Sequence, residues 1–215
     1  MTRKIEGRLV VATQNPGKVA EIRELLADYD VEIVHPSEFD LPSPDETGLT
    51  YAENAGIKAH AAARATGLPA LADDSGLCVD ALDGLPGLAT AEWGGPERSQ
   101  DAGIARLERE MARRGHATGG PAHFVSALVV AWPDGHEELF EGRVHGSVTF
   151  PRAPGTMMMF DPVFRPEGRE LAFSQMSERE KNGADGGEPL SHRARAFRLF
   201  AEACLSPREP ACSFR

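Results

Sequence analysis

The order of apolar and polar positions divides this chain into alternating strand-like and helix-like segments. An apolar run, Leu9-Val10-Val11-Ala12, ends in the polar stretch Thr13-Gln14-Asn15-Pro16-Gly17-Lys18. Beyond it Val19, Ile22, Leu25, Leu26 and Tyr29 recur at the spacing that gives a helix one apolar face. A strand at about 9–13 and a helix at about 18–29 are predicted. A short strand near Val31–Val34 follows, then a loop from Ser37 to Gly48, rich in Pro, Asp and Ser. Thr50-x-x-Glu53 has the form of a capping box opening an alanine-rich helix that stops at Gly67. Ala70–Ala72 and Leu77–Val79 predict two strands parted by the turn Asp73-Asp74-Ser75-Gly76. The glycine- and proline-bearing stretch 80–96 predicts a loop. A charged helix follows at about 99–114, with Ile104, Leu107 and Met111 inward.

The second half changes character. His123–Trp132 and Glu137–Val144 are strand-like runs joined by Pro133-Asp134-Gly135, a hairpin turn. A proline-containing loop leads through Asp161-Pro162-Val163-Phe164, and a helix at about 191–204 closes the pattern. Strands that alternate with helices and then pair as a hairpin predict an α/β protein with a mixed sheet. The expected organisation is one domain over residues 1–205, with 206–215 as a disordered tail.

Composition narrows the class. The 215 residues are 41% apolar and 26% charged, which is ordinary for a globular protein with a sizeable core. Among all 215 residues there is no apolar run long enough for a membrane helix, and Met1–Arg8 lacks the apolar centre of a signal peptide. Cys78, Cys204 and Cys212 have neither disulfide-framework nor zinc-ligand spacing, so a reduced, cytoplasmic setting is expected. The formal charge of −10 argues against a nucleic acid polymer as partner. It leaves room for a small phosphorylated ligand and a divalent cation.

Three places can carry chemistry. Lys18 opens a helix, where unpaired amides and the macrodipole favour an anion, though the same residues also fit an ordinary connection with a solvated lysine. Glu46, Asp73 and Asp74 are oxygen donors of the kind Mg²⁺ takes, often with substrate phosphates completing the shell. Because pleating turns successive side chains apart, one aspartate can bind metal while the other orients a water. The Asp-x-Ser-Gly order also fits a simple type I turn. Ser191-His192-Arg193 places cations in a first helical turn, against the macrodipole, which suits recruitment of an anion or a polar ring. The plainer readings are side chains bent into solvent or Arg193 paired with an acid. Lys58 shares a helix face with Asn54 and, in isolation, reads as solvated. Phe160-Asp161-Pro162 offers an aromatic plane and a carboxylate, although a lone phenylalanine is commonly core.

In order, these segments resemble the inosine/xanthosine triphosphate pyrophosphatase family. The resemblance rests on Ala12–Lys18, Glu46-Thr47-Gly48 with Glu53-Asn54-Ala55, Leu71–Leu77, Gly84-Leu85-Pro86-Gly87, Phe160–Phe164, Glu180-Lys181-Asn182 and Ser191–Ala194. It implies an elongated central mixed sheet with flanking helices, in two lobes around a nucleotide cleft, and a homodimer. It implies Mg²⁺-dependent hydrolysis of ITP, dITP or XTP to the monophosphate and pyrophosphate. Position by position, Thr13, Gln14, Asn15, Pro16, Gly17 and Lys18 would hold the triphosphate, with Lys58 as helper. Asp74 would be general base and metal ligand, joined at the metal by Asp73 and Glu46, with Ser75 touching substrate. Met158, Met159, Phe160, Asp161, Lys181, His192 and Arg193 would form the base site. Relatives usually carry Gly-Phe-Gly before the aromatic-Asp-Pro, where this chain has Met157-Met158-Met159. Glu92 stands where they often carry a basic residue, and residues around Gly183–Pro189 form an insert. A related pyrophosphatase of altered base preference, and a nucleotide-binding protein with impaired turnover, are the alternatives.

Overall fold

A computed structural model describes residues 2–208 apart from Gln14, Asp40, Thr156, Met157 and Ala184–Gly186, and the side chains of Pro36 and Ser37. The strands are β1 (Gly7–Val11), β2 (Val31–Val34), β3 (Ala70–Val79), β4 (Gly119–Ala131), β5 (Glu137–Thr149) and β6 (Phe164–Pro166). The helices are α1 (Pro16–Leu26), α2 (Tyr51–Thr66), α3 (Gln100–Arg113), α4 (Glu178–Asn182) and α5 (His192–Cys204). The strands form one sheet in the order β2-β1-β3-β4-β5-β6. β1 is parallel to β2 and β3, whereas β5 is antiparallel to β6, so the sheet is mixed as expected.

The chain divides into two compact units. Unit 1 comprises Met1–Asp74, Ala127–Phe140 and Phe197–Arg215; unit 2 comprises Ser75–Ser126 and Glu141–Ala196.

Unit 1 is built on small side chains. Ala55, Ala59, Ala62 and Ala63 of α2 pack with Val10, Ala70, Ala72, Val129 and Ala131 of the strands and with Ala12 just beyond β1. A face of alanines brings a helix backbone close to a sheet. It also holds the helix cheaply, since alanine loses no side-chain entropy there. The predicted capping box is present, with Thr50 Oγ1 accepting from the Glu53 amide at 3.1 Å, and Gly67 closes α2 in the left-handed conformation. Asn54 and Lys58 lie on the same buried face as the alanines.

Unit 2 is built on rings. Phe124, Phe160, Phe164, Phe173 and Trp93 pack with Leu107 and Met111 of α3. Phe124 meets Phe164 edge-on at 4.7 Å between ring centroids. The stretch 80–96 runs through three short 3₁₀ turns, Asp80–Leu82, Gly87–Thr90 and Glu92–Gly94.

Three expectations need correction. The Asp73–Gly76 turn does not form; β3 runs unbroken from Ala70 to Val79. Pairing within the sheet overrides the turn preference, because both carboxylates find lysine partners and need no exposed bend. α1 begins at Pro16 and ends at Leu26, with Tyr29 beyond it in an isolated bridge to Pro207. That bridge, and the Arg208 amide donating to the Asp28 carbonyl at 2.8 Å, tie Ser206–Arg208 to unit 1. Residues 209–215 lie outside the described part.

Candidate active site

In unit 1 the chemistry collects where β1 and β3 meet the two helices. Asn15 caps α1, its Oδ1 accepting from the Gly17 amide at 3.0 Å and the Lys18 amide at 3.3 Å. Pro16 stands at the first helical position, where no amide hydrogen is needed. The cap thus occupies two of the amides expected to meet an anion, and the ammonium of Lys18 is the main positive feature left there. Its Nζ lies 2.5 Å from Asp73 Oδ2, with the Asp73 side chain fully buried. The neighbouring Asp74 turns the other way, as the pleat requires, towards α2. Lys58 Nζ lies 3.2 Å from Asp74 Oδ1 and 3.4 Å from Glu46 Oε1. Asn54 links the same groups, donating to Asp74 Oδ2 at 3.4 Å and accepting from the Gly48 amide at 2.8 Å.

Lys58 is therefore no solvated lysine; it is a buried bridge between two carboxylates. Burial pushes the Asp74 carboxyl above the ordinary 3.8; Lys58 and Lys18 oppose this, and Glu46 and Asp73 reinforce it. Three carboxylates against two ammoniums leave one formal negative charge in the cluster. Among the described residues no three Asp, Glu, His or Cys side chains converge on one metal position. The expected trio of Glu46, Asp73 and Asp74 is split, because Lys18 neutralises Asp73 and leaves Asp74 and Glu46 together at Lys58.

Unit 2 gathers the other candidates. Lys181, on α4, is buried with Nζ 2.7 Å from Glu178 Oε1 and 3.5 Å from Asp161 Oδ2. It also lies 6.0 Å from the Phe173 ring centroid, within cation–π range. Its carbonyl accepts from the Leu190 and Ser191 amides at 2.8 and 2.9 Å, closing the chain around the insert. Ser191 opens α5 with Oγ accepting from the Ala194 amide at 3.3 Å. His192 stacks on Phe124 with centroids 4.8 Å apart and planes 12° from parallel. Arg193 is buried, and Nη2 donates to Ser75 Oγ at 3.1 Å. Neither side chain bends into solvent. Gly142 of β5 makes this docking possible: a Cβ there would lie 2.0 Å from the His192 carbonyl oxygen and 2.5 Å from the Ala196 nitrogen.

Lys18, Glu46, Lys58, Asp73 and Asp74 are thus assembled in unit 1, and Ser75, Asp161, Lys181, His192 and Arg193 lie in unit 2. Phe160 differs from expectation. It is 1% exposed within the aromatic core, so its ring has no face to offer a base. A large apolar ring beside Val163 and Phe164 gains more from burial than from an open site. The Met159 side chain also packs inward. Gln14 lies outside the described residues. Sequence reasoning passed over two supporting groups, Glu178 and Phe124. Glu178 was open to helical spacing, since it precedes Lys181 by about one turn. Nothing local signals the stack of Phe124 on His192.

The fold is thus a mixed α/β sheet with lysine-paired aspartates in the third strand of unit 1 and a group of Lys, His and Arg donors in unit 2. The chain belongs to the Ham1 family, whose model matches residues 9–203. It is 53% identical over 210 residues to a dITP/XTP pyrophosphatase of Bradyrhizobium, covering 96% of this chain and 98% of the relative. It is 50% identical over 212 residues to a dITP/XTP pyrophosphatase of Rhizobium meliloti, covering 95% and 99%. Among solved structures, a HAM1 protein from Coxiella burnetii superposes with a TM-score of 0.81 at 29% identity, covering 91% and 96%. A nucleoside-triphosphatase/dITP/XTP pyrophosphatase from Mycobacterium abscessus gives 0.69 at 34% identity, covering 90% and 98%.

Proposed function

We propose that this chain hydrolyses the non-canonical purine nucleoside triphosphates ITP, dITP and XTP to the monophosphate and pyrophosphate. The observation that carries the chemistry is the bridge of Lys58 between Asp74 and Glu46, with Asp74 buried and its carboxyl raised. Relatives named dITP/XTP pyrophosphatase, about half identical along nearly their whole length, support the substrate class.

Asp74 accepts the proton of the water that attacks the α-phosphorus; a raised pKa suits a base working near neutral pH. Lys18, with Thr13, Gln14, Asn15, Pro16 and Gly17, holds the triphosphate, and its ammonium offsets charge developing on the pyrophosphate. Lys58 keeps Asp74 and Glu46 in register. Ser75 is held by Arg193 where the chain leaves Asp74. The residues fit a magnesium ion, since two hard oxygen donors sit together in a cluster that is one positive charge short of neutral. Asp74 and Glu46 would hold it with phosphate oxygens, and it would supply charge neutralisation at the phosphates. Asp73, spent on Lys18, acts by fixing that ammonium.

Lys181, His192 and Arg193 donate to the 6-oxo group of hypoxanthine or xanthine, and Asp161 holds Lys181 in place. Adenine would set an amino group against these donors and leave them unpaired, a cost of about 1–3 kcal/mol for each buried group. The reading extends to a homodimer in the cytoplasm, testable by light scattering and by cell fractionation. Among the described residues, Cys78 and Cys204 form no disulfide.

Pyrophosphate release from ITP, dITP, XTP, GTP and ATP, with and without Mg²⁺, tests the proposal. Release from the first three, little from ATP, and loss on chelation are expected. Binding of ITP without release would sink it. A different base preference has one observation in its favour, the burial of Phe160, and comparable release from GTP or ATP would select it.

A further inference from the structure

The Met158–Asp161 turn of unit 2 is held in an unusual way. Met158 O accepts from Gln100 Nε2 of α3 at 3.0 Å and from the Asp161 amide at 3.0 Å. The next side chain, Met159, runs into a gap between two glycines. A Cβ on Gly103, within α3, would lie 2.9 Å from Met159 Sδ and 3.3 Å from its Cγ. A Cβ on Gly94 would lie 2.7 Å from Met159 Cε. Gly94 is doubly constrained, because that Cβ would also meet the Ser99 backbone at 2.8 Å. Gly103 is diagnostic: apart from Met159, its nearest obstacle is the Gly94 nitrogen at 3.6 Å.

Glycine inside a helix weakens it, and Gly103 does not adopt the positive φ that would call for glycine. Space is the reason left, and Met159 is what fills the space. A flexible, polarizable thioether suits so narrow a slot.

We infer that Met159 is a positioning residue for base recognition: its side chain, seated against Gly103, fixes the turn that carries Asp161 to Lys181. Asp161 Oδ2 lies 3.5 Å from Lys181 Nζ, two residues beyond the plug. A slip of the turn by an ångström changes how Lys181 meets a ligand, and displacements of that size cost binding or rate heavily. The inference rests on the proposed function for its ligand, but the packing stands without it.

A double-mutant cycle between Met159 and Gly103 tests it, read by melting temperature and by kinetics with ITP. Gly103→Ala alone should lower the melting temperature by about 3–8 °C, the signature of overpacking in a domain of this size. Met159→Ala should raise KM for ITP about tenfold with kcat held within about twofold, as expected of lost positioning. Adding Gly103→Ala to Met159→Ala should cost nothing further in melting temperature, because the new methyl enters the vacated space. Met159→Leu, close in volume, should restore KM. Equal, additive losses from Gly103→Ala in both backgrounds would overturn the packing. An unchanged KM in folded Met159→Ala would overturn the positioning, and if that variant does not fold, the KM of Gly103→Ala decides. Should the wild-type protein release no pyrophosphate, the proposed function fails by itself. The positioning is then read from ITP affinity by calorimetry, about tenfold weaker in Met159→Ala if the inference holds and unchanged if it does not.

Discussion

The two units hold buried charge by opposite means. In unit 1 charge meets charge: Lys18 answers Asp73, and Lys58 answers Asp74 and Glu46, beside a core rich in alanine. In unit 2 the cations lean on rings as well as on acids. His192 lies flat on Phe124, and Lys181 sits within reach of Phe173 as well as Asp161 and Glu178. The first arrangement leaves a negative surplus and suits a cation that would bring a phosphate with it. The second fixes donors rigidly and suits discrimination between rings. Small side chains bring backbones together, so charges on a strand and on the helices beside it come within contact distance; large ones hold polar groups apart and aim them.

That contrast predicts turnover defects from unit 1 and recognition defects from unit 2. The largest effect belongs to Asp74. Asp74→Asn should lower kcat for ITP about 10²–10⁴-fold, the range for a lost general base, with circular dichroism unchanged. Near-normal kcat would move the base elsewhere. Next comes Lys18→Met, which removes the ammonium that faces the buried Asp73 carboxylate. Breaking a buried pair from one side costs about 3–5 kcal/mol, so chemical denaturation should show a loss of that order. A loss under about 1 kcal/mol would mean the pair behaves like a surface bridge.

Lys181→Met should act differently. It keeps the length of the side chain but removes the donor, so ITP should lose about tenfold or more of its kcat/KM advantage over ATP. A matching fall for both substrates would assign Lys181 to turnover and erase the contrast between the units.

The smallest effect concerns pH and a second acidic group of unit 1. Burial pulls Glu138 upward, yet hydrogen bonds from the Arg3 amide, His136 and Cys204 hold its carboxyl below the ordinary 4.5. A carboxyl lowered by folding stabilises the protein fully above the unfolded value. That contribution is lost as pH falls through the lower, folded value. Glu138→Gln should therefore flatten the acid side of the stability–pH curve below about pH 4.5. A curve of unchanged slope would show that those hydrogen bonds contribute no stability.

Much of this was legible in the residue order. The capping box at Thr50, the stop at Gly67, the strand Val31–Val34 and the Pro133-Asp134-Gly135 hairpin are all where local chemistry places them. Such features depend on residues a few positions apart, which sequence displays directly. The Asp73–Gly76 segment misled for the same reason. Its local preference is for a turn, and only pairing with distant strands and lysines makes it strand. Phe160 misled differently, because an aromatic beside a carboxylate reads alike whether it faces a ligand or a core.

The sequence by itself determined the α/β alternation, the mixed sheet, the ordered motifs of a Ham1 protein and the residue types at each chemical position. Tertiary structure alone decided which cation answers which acid, that Lys58 is buried, that Phe160 is core, and that Met159 fills the gap at Gly103. The reason is physical. Periodicity and capping are set within a turn or two of chain, whereas burial and pairing are set by what distant segments bring alongside.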